Sequence, residues 1–376
     1  MLKPLGLYLH IPFCVQKCKY CDFTSFVKSE NDIDEYVKLL EKELDFVKDY
    51  TGEYYLDSVF FGGGTPSLLS EENMEFIMNK IKRSFYIEDD CEFSFEANPK
   101  TVQLKKLKAY KSFGFNRISI GVQTLDDALL RTIGRAHNVK DFYESYAAAK
   151  LADFKNINYD IMFGLPNQSM ETLNKTVDDI LKFEPSSISA YSLILEEGTP
   201  LYEIKDKYAY ASDEENRQMY YMIRDKLKEK GLLQYEISNF AKQGKECRHN
   251  MKYWELKPYI GVGVCASSFF ENVRSTNSQT FEEYKAYVEK GVPLFVSEEK
   301  QTQEDLMSEF MFLGLRKTKG ISDADFQKLF NISFFDKYKD VIEKHKANGL
   351  IDVIGDRIFL TEKGMDLSNF VMSDFV

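Results

Sequence analysis

Short apolar segments alternate with longer segments in which apolar residues recur every three or four positions. A short apolar run is typical of a buried strand, and the longer period is typical of a helix with one apolar face. The predicted strands are Gly6–His10, Leu56–Phe61, Cys91–Ala97, Arg117–Val122, Ile157–Phe163 and Ser187–Leu193, and the predicted helices are Asp32–Asp49, Ser70–Arg83, Thr101–Phe113, Val139–Phe154, Ser169–Phe183 and Asp213–Lys230. Strands that alternate with helices favour a parallel sheet wrapped by helices. The pattern predicts an α/β fold of six βα units, an open (β/α)6 partial TIM-like barrel.

The pattern changes from about Gln303 onwards. Three helical segments precede Leu350–Leu360, in which two alternating strands flank a tight turn at Gly355 and Asp356. A hairpin after three helices is a winged-helix-like arrangement. We therefore predict three regions: a barrel over residues 1–235, connecting elements over 236–300, and a small winged-helix-like domain over 301–376.

Composition narrows the class of protein. The 376 residues are 44% hydrophobic and 14% aromatic, so the chain can bury a large core and is not disordered. The formal net charge of -11 argues against a general nucleic-acid binder, because neutralising phosphates requires a surplus of Lys and Arg. Winged helices often bind DNA, but the acidic turn favours packing or covering of a site. No nucleic-acid partner is expected.

The sequence also bears on localisation. No run of about 18 apolar residues occurs, and the chain opens directly into a strand rather than a signal peptide. The six cysteines show no paired scaffold pattern, which indicates a reducing compartment. We expect a cytoplasmic protein, with peripheral membrane association and a homodimer left open.

Three cysteines follow the first predicted strand in a C-x3-C-x2-C spacing: Cys14, Cys18 and Cys21. Four thiolates complete a [4Fe-4S] cluster or a structural zinc site, whereas three leave one position open for another ligand. The remaining cysteines, Cys91, Cys247 and Cys265, are distant and singly placed, which is more typical of buried small side chains. The spacing favours an iron-sulfur cluster with one open iron, and zinc or chance spacing is the alternative.

Glycines and polar residues occur where the predicted strands end. Gly62, Gly63 and Gly64 follow the second strand, Glu96 lies near the end of the third, and Asp160 lies within the apolar fifth. Ligands of parallel α/β folds gather at the carboxyl ends of the strands. Glycines allow close backbone approach, and a charged residue inside an apolar strand rarely lacks a partner or ligand. An ordinary glycine turn and a solvated Glu96 are the alternatives.

The string YLHIPFCVQKCKYCDF, from Tyr8 to Phe23, resembles the radical S-adenosylmethionine (SAM) superfamily. Within it, the string is similar to the anaerobic coproporphyrinogen III oxidase family, which holds the oxygen-independent dehydrogenase HemN and the haem-chaperone (HemW) branch. The resemblance implies an open (β/α)6 barrel and a [4Fe-4S] cluster on Cys14, Cys18 and Cys21, whose open iron SAM chelates. The positions that match SAM contacts in the family, some of them to a second SAM molecule, are Tyr8, Tyr20, Gly63, Gly64, Thr65, Glu96, Gln123, Arg135 and Asp160.

Two departures separate this chain from the dehydrogenase pattern. Phe23 stands where the dehydrogenase has a fourth cysteine, and the chain starts at the first strand without the dehydrogenase's amino-terminal extension. The ending Cys21-Asp22-Phe23 is instead similar to the haem-chaperone branch. Both features lower the expectation of porphyrinogen decarboxylation.

A second motif follows a predicted strand around Tyr235–Phe240. It reads H-N-x-x-Y-W and contains the only Trp and one of four His residues. A neutral imidazole can ligate haem iron, and aromatic rings can pack on a macrocycle. The haem-chaperone branch associates this motif with haem binding, which implies haem-site candidates His249, Asn250, Tyr253 and Trp254, with Cys247 as an alternative thiolate. The alternative, which has at least equal weight, is that His249 caps a loop while Tyr253 and Trp254 fill the core.

These observations predict a haem chaperone that binds haem as cargo together with a SAM-ligated [4Fe-4S] cluster. Its partners would be apo-haemoproteins such as respiratory enzymes. One alternative is an oxygen-independent coproporphyrinogen III oxidase/dehydrogenase, or another enzyme that uses the 5′-deoxyadenosyl radical. A regulatory or nucleic-acid-modifying protein is the third possibility. No catalytic residue is assigned.

Overall fold

The computed structural model describes residues 2–27, 29–291 and 295–376. The strands in these ranges are β1 (Lys3–Ile11), β2 (Tyr54–Gly63), β3 (Tyr86–Ala97), β4 (Arg117–Gln123), β5 (Asn156–Phe163), β6 (Ser187–Ser192), β7 (Leu233–Glu236), β8 (Asn239–Ala241), β9 (Tyr259–Val262), β10 (Ser267–Phe270), β11 (Val273–Asn277), β12 (Phe295–Lys300), β13 (Ile321–Ser322), β14 (Ile351–Ile354) and β15 (Arg357–Leu360). The six predicted barrel strands coincide with β1 to β6.

The helices cover the outer face of the sheet and form most of the carboxyl-terminal region. They are α1 (Glu30–Tyr50), α2 (Glu71–Ser84), α3 (Leu104–Ser112), α4 (Asp127–Thr132), α5 (Val139–Leu151), α6 (Met170–Leu181), α7 (Pro200–Glu203), α8 (Asp213–Glu229), α9 (Arg248–Trp254), α10 (Phe281–Lys290), α11 (Gln303–Gly314), α12 (Asp323–Phe330), α13 (Phe334–Lys337), α14 (Lys339–Ala347), α15 (Glu362–Asp366) and α16 (Ser368–Ser373). None of the helices in the described ranges has the length and apolar composition needed to cross a bilayer.

The strands β1 to β6 lie side by side in chain order and run parallel. The outer neighbour of β1 is β9, which is parallel to it, and the outer neighbour of β6 is the antiparallel β8. Because β1 and β6 pair with these other strands, they do not pair with each other. The predicted α/β fold with an open barrel is confirmed.

Alternation along the strands separates an apolar face from a polar one. Phe61, Phe95 and Ile118 pair in register across β2, β3 and β4 and are fully buried in the core beneath the helices. The next position on β3, Glu96, pairs with Ser119 on β4. Since successive side chains point to opposite faces, the barrel interior receives the polar residues.

The predicted strand around Tyr235–Phe240 is wrong in one respect: the chain turns back within it. Strands β7 and β8 pair antiparallel on either side of the turn. The Glu236 carboxylate accepts hydrogen bonds from the Ser238 backbone N–H, at 2.9 Å, and from the Asn239 amide, at 2.5 Å. This local side-chain capping favours a turn over a continuous strand.

The carboxyl-terminal region contains α11 to α16 and a three-stranded sheet in the order β13, β15, β14. Its apolar cluster includes Met311, Phe326 and Ile358, together with Tyr259 and Phe269 from β9 and β10. The winged-helix-like arrangement is therefore packed directly against the connecting elements. The proposed division at residues 235 and 300 stays a prediction.

Candidate functional site

The three motif cysteines lie on the loop between β1 and α1, which we call the cluster loop (Pro12–Phe26). All three are partly exposed and none forms a disulfide. The Phe26 N–H donates to the Pro12 carbonyl at 2.6 Å, and the Cys14 N–H donates to the Phe26 carbonyl at 3.0 Å. These hydrogen bonds close the ends of the loop, so Cys14, Cys18 and Cys21 are held on one short segment.

Neighbouring segments hold the middle of the cluster loop. The Lys19 N–H donates to the Ile133 carbonyl at 3.0 Å, and the Lys19 carbonyl accepts from the Leu201 N–H at 2.8 Å. The Gln16 side-chain amide donates to the Gly134 carbonyl at 3.0 Å. The loop is thus attached to the segments that follow β4 and β6.

The thiol groups have polar neighbours. Cys14 Sγ lies 3.6 Å from Thr65 Oγ1, and Arg135 Nη1 donates to Cys18 Sγ at 3.5 Å. Burial raises the pKa of the Cys21 thiol, and the nearby Cys18 and Cys14 thiols raise it further. A guanidinium beside the loop would favour thiolates.

In the part of the chain that the structure describes, no three His, Cys, Asp or Glu side chains converge closely enough to hold a single metal ion. A zinc site needs its sulfurs at about 2.3 Å from one ion. The thiolates of a cluster each bind a different iron and need not converge on one point. A set of three thiolates matches a [4Fe-4S] cluster with one open iron, whereas a structural zinc site takes four ligands.

The segment Gly62–Thr65 at the end of β2, which we call the glycine loop, lies directly against the cluster loop. The Gly64 N–H donates to the Ile11 carbonyl at 2.8 Å. A Cβ atom at Gly64 would stand 2.7 Å from the Phe13 carbonyl oxygen, and Gly63 has a φ of +106°. Only glycine fits this close approach without displacing the backbone.

Two carboxyl groups lie close together inside the barrel. Glu96 accepts a hydrogen bond from the Gly63 N–H at 3.2 Å. Burial, and then the neighbouring Asp160, raises the pKa of Glu96 to about 8. Asp160 accepts from Ser119 Oγ at 3.1 Å and from the Asn158 amide at 2.7 Å, while burial raises its pKa. The site therefore has acceptors that suit the amino and hydroxyl groups of a ligand.

Arg135 and Asn98 connect the glycine loop to β4. Asn98 donates to Thr65 Oγ1 at 2.8 Å and accepts from Arg135, whose Nη2 also donates to the Gly121 carbonyl at 2.7 Å. Asn98 was not among the predicted site residues. The feature that could have indicated Asn98 is its position directly after a strand end, two residues after Glu96.

The other predicted SAM residues lie close by. Gln123 ends β4 in a left-handed conformation with φ of +64°, which is uncommon for a residue with a side chain. Tyr20 packs against the apolar cluster of Leu129 and Met162. Tyr8 lies deeper on β1, with its hydroxyl 3.1 Å from His10 Nδ1. Gly63, Glu96 and Gln123 thus lie at the carboxyl ends of β2, β3 and β4, and Tyr8 and Asp160 lie within their strands.

A cavity of about 350 Å³ adjoins this group and is lined in part by Cys18, Thr65, Asn98, Arg135 and His137. Burial, and then the Arg135 charge, lowers the pKa of His137 to about 3. His137 is therefore neutral at physiological pH.

The H-N-x-x-Y-W motif forms α9, and its histidine is fully buried. His249 Nδ1 lies 3.1 Å from Ser58 Oγ, and Nε2 lies 2.9 Å from the Tyr253 hydroxyl. The imidazole stacks on Phe60 at a centroid distance of 5.3 Å. Burial lowers the pKa of His249 to about 3, so the ring is neutral. Both ring nitrogens have protein partners.

Glu92 on β3 holds the beginning of α9, which the sequence alone did not indicate. Its carboxylate accepts from the backbone N–H groups of Arg248, at 3.2 Å, and His249, at 3.3 Å. Cys247 Sγ lies 3.6 Å from the same carboxylate, and burial raises the pKa of this thiol to about 12. Cys247 is thus a neutral buried thiol rather than an available thiolate.

A second cavity, of about 660 Å³, lies between the cluster loop, α9 and α11; we call it the aromatic cavity. Its lining includes Tyr8, Phe23, Tyr253, Trp254, Tyr259, Phe269, Phe312 and Arg274. Neither His249 nor Asn250 is among the lining residues. The structure therefore places two of the four haem candidates on the cavity wall and His249 behind Tyr253.

Comparison with known proteins identifies two family models. Residues 8–180 match the radical SAM superfamily, and residues 301–367 match the HemN carboxyl-terminal domain. The heme chaperone HemW of Bacillus subtilis (strain 168) is 38% identical, with 98% of each chain covered. The heme chaperone HemW of Lactococcus lactis subsp. lactis (strain IL1403) is 35% identical over 100% of this chain and 98% of its own.

Among solved structures, coproporphyrinogen III oxidase (HemN) from Escherichia coli, a radical SAM enzyme, aligns with a TM-score of 0.87. The match covers 100% of this chain and 90% of that one, at 22% identity. At this identity the likeness establishes the fold and leaves the reaction open.

Proposed function

This chain belongs to the heme chaperone HemW family within the radical SAM superfamily, and on that premise we propose that it binds haem beside a SAM-ligated [4Fe-4S] cluster and passes the haem to apo-haemoproteins. The observation that carries the proposal is the shared wall of the aromatic cavity. Phe23 of the cluster loop and Tyr253 and Trp254 of the H-N-x-x-Y-W motif line the same space. A cavity of about 660 Å³ is within the range of roughly 300–1,000 Å³ that small-molecule and cofactor sites occupy.

The cluster loop would hold the iron-sulfur cluster through Cys14, Cys18 and Cys21. When bound, such a cluster supplies an electron for cleavage of SAM. The residues around it would have separate roles. Glycine at positions 63 and 64 lets the loop after β2 pack against His10 and the Phe13 backbone, and Glu96 accepts a hydrogen bond from the Gly63 N–H. Arg135 donates toward Cys18 and holds Asn98 and the Gly121 carbonyl in place.

Phe23 bears on the choice between the two branches of the family. It is 64% exposed on the cluster loop and lines the aromatic cavity. A phenyl ring there can pack on a macrocycle but cannot serve as a thiol. This supports haem as bound cargo over conversion of coproporphyrinogen.

His249 would ligate haem iron only after Tyr253 moves, because the Tyr253 hydroxyl is hydrogen-bonded to Nε2. The neutral state of the ring is the state that binds metals. Tyr253 already lines the cavity, so its rotation would open a path from the cavity to the imidazole. We propose that His249 is the iron ligand of the loaded protein and that Tyr253 covers it in the unloaded one.

Titration of ferric haem into wild type, His249→Ala, Tyr253→Phe and Ser58→Ala, followed at the Soret band, tests this function. We expect wild type and Tyr253→Phe to give the same Soret position, because neither lacks the ligand. His249→Ala should shift the band and weaken binding by about tenfold or more. Ser58→Ala is the matched control, since it removes the hydrogen bond to Nδ1 and leaves Nε2 intact.

Two outcomes would contradict the proposal at different levels. If wild-type protein gives no Soret band, the haem function fails. If His249→Ala binds haem with unchanged affinity and an unchanged spectrum, haem binding stands but His249 is not the ligand.

A further inference from the structure

The aromatic cavity combines ring-lined walls with a small number of charged groups. Its cationic residues are Lys252, Lys257 and Arg274, and its carboxylates are Asp22 and Glu309. Lys252 is buried in an ion pair with Asp57 at 2.7 Å. Since that pair is already satisfied, Lys252 has little to offer a further anion.

The remaining charged groups differ in how they are held. Lys257 is half-exposed and forms an ion pair with Glu255 at 2.5 Å, and Asp22 lies exposed on the cluster loop. Arg274, in contrast, is fixed by several contacts. An anion that enters the cavity therefore meets one oriented cation.

Arg274 lies on β11, and its guanidinium is bound on one edge by Glu309 of α11. Nε donates to Glu309 Oε1 at 2.5 Å and Nη2 donates to Oε2 at 2.7 Å. The guanidinium also lies over the Phe269 ring at 4.7 Å. This bidentate pair and the ring contact fix the plane of the guanidinium.

The second edge of the same guanidinium stays available. A guanidinium has five N–H donors, and Glu309 uses two of them. Nη1 makes only a long contact with the Tyr259 hydroxyl, at 3.4 Å, among the described residues. The Nη1–Nη2 edge can therefore form a second two-point contact with a carboxylate without disturbing Glu309.

We propose that Arg274 is the residue that binds a haem propionate in the aromatic cavity, oriented for that purpose by Glu309. The inference rests on the proposed function and adds to it the recognition of the carboxylate edge of the macrocycle. The aromatic walls hold the ring of the haem, and Arg274 defines which edge faces β11 and α11. Glu309 is a positioning residue, since it acts through Arg274.

Ferric haem and its dimethyl ester, which lacks the propionate charges, provide the test. Their affinities are measured by Soret titration for wild type and Arg274→Gln. We expect wild type to prefer haem over the ester by about tenfold or more, because a charge-assisted two-point contact is lost with the ester. In Arg274→Gln, haem affinity should fall by about tenfold while ester affinity stays nearly unchanged, so the preference largely disappears.

A matched control is Arg224→Gln. Arg224 forms ion pairs with Asp225 at 2.9 Å and with Glu362 of the carboxyl-terminal region at 3.1 Å, but it does not line the cavity. This variant should keep the wild-type preference for haem over its ester. If Arg274→Gln folds poorly because Glu309 is left unpaired, Arg274→Gln/Glu309→Gln removes both charges and should show the same loss of preference.

The possible outcomes distinguish failure of this inference from failure of the haem function. Wild-type protein that binds neither haem nor the ester overturns the haem function itself. Wild-type protein that binds both equally, or an Arg274→Gln protein that keeps the full preference, overturns propionate recognition by Arg274 and leaves haem binding intact. Equal loss of haem and ester in the variant also overturns the inference, because it indicates a structural role.

Discussion

At the scale of single residues, buried carboxyl groups connect parts of the fold that are far apart in the chain. Glu43 on α1 is 1% exposed. It accepts hydrogen bonds from the Gly263 N–H at 2.7 Å, the Asn277 amide at 2.7 Å and the Tyr284 hydroxyl at 2.5 Å. The adjacent Tyr36 hydroxyl donates to the His10 carbonyl at 2.8 Å, just before the cluster loop. One carboxyl group thus attaches the connecting elements to the barrel.

The protonation of Glu43 predicts how stability depends on pH. Burial raises its pKa in the folded chain to about 7, above the ordinary value of 4.5. Between these two values the folded state binds more protons than the unfolded state, so stability should fall as the pH rises. The loss from this group should amount to about 3 kcal/mol at most.

Glu43→Gln keeps an acceptor oxygen and removes the titration, so it should flatten this part of the pH dependence. Urea denaturation between pH 5 and pH 8 measures the effect. Glu41→Gln is the control, since Glu41 is partly exposed on the same helix and its carboxylate lies 4.0 Å from Lys80 Nζ. Equal slopes for wild type and Glu43→Gln would show that Glu43 does not titrate in this range.

At this scale, the sequence alone indicated some of the important residues but not others. The motif residues Cys14, Gly64 and Glu96 stand out because their type and spacing are local features. Glu43 and Glu92 do not, because their partners are far away: Asn277 is 234 positions from Glu43, and Arg248 is 156 positions from Glu92. Nothing in a local pattern indicates such a pair.

At the scale of elements, the glycine loop after β2 and the cluster loop form one unit. Gly64 approaches the Phe13 backbone so closely that a Cβ would stand 2.7 Å from its carbonyl oxygen and 2.9 Å from its nitrogen. Backbone atoms cannot move aside as the end of a side chain can. The position of the cluster loop therefore depends on glycine at this site.

Gly64→Ala should displace the cluster loop, reduce the iron and sulfide retained after reconstitution, and weaken SAM binding by about tenfold or more, because small displacements at a site are costly. Gly52→Ala is the matched control, since a Cβ there meets nothing within 4 Å in the described structure and φ is not positive. Iron analysis and SAM titration measure both effects. Wild-type cluster content in Gly64→Ala would show that the close contact is unimportant.

The barrel strands were predictable because each βα unit has its own apolar pattern, and β1 to β6 match the predicted segments. The strands that extend the sheet beyond β1 were not predictable from the sequence. β9 lies beside β1 although some 250 residues separate them, and β10 to β12 follow it along the same edge. Pairing between distant segments depends on tertiary packing, which local periodicity does not report.

At the scale of the whole molecule, an acidic chain has a local cationic group in the cavity that we propose for its cargo. The net charge is -11, yet the aromatic cavity holds the fixed Arg274 guanidinium. The cavity is lined by the cluster loop, by α9, by β9 to β11, and by α11 of the carboxyl-terminal region. Because segments that are far apart in the chain line one cavity, binding of a ligand there can affect how they pack together.

The most direct test of the account is transfer of haem. Reconstituted protein is loaded anaerobically with haem and mixed with an apo-haemoprotein of the respiratory chain, and the acceptor's spectrum is compared with that obtained from free haem at the same concentration. A parallel sample receives coproporphyrinogen III and SAM. The account predicts faster or more complete acceptor loading than with free haem, and no conversion of coproporphyrinogen III. Acceptor loading no better than with free haem, together with conversion of coproporphyrinogen III, would contradict it.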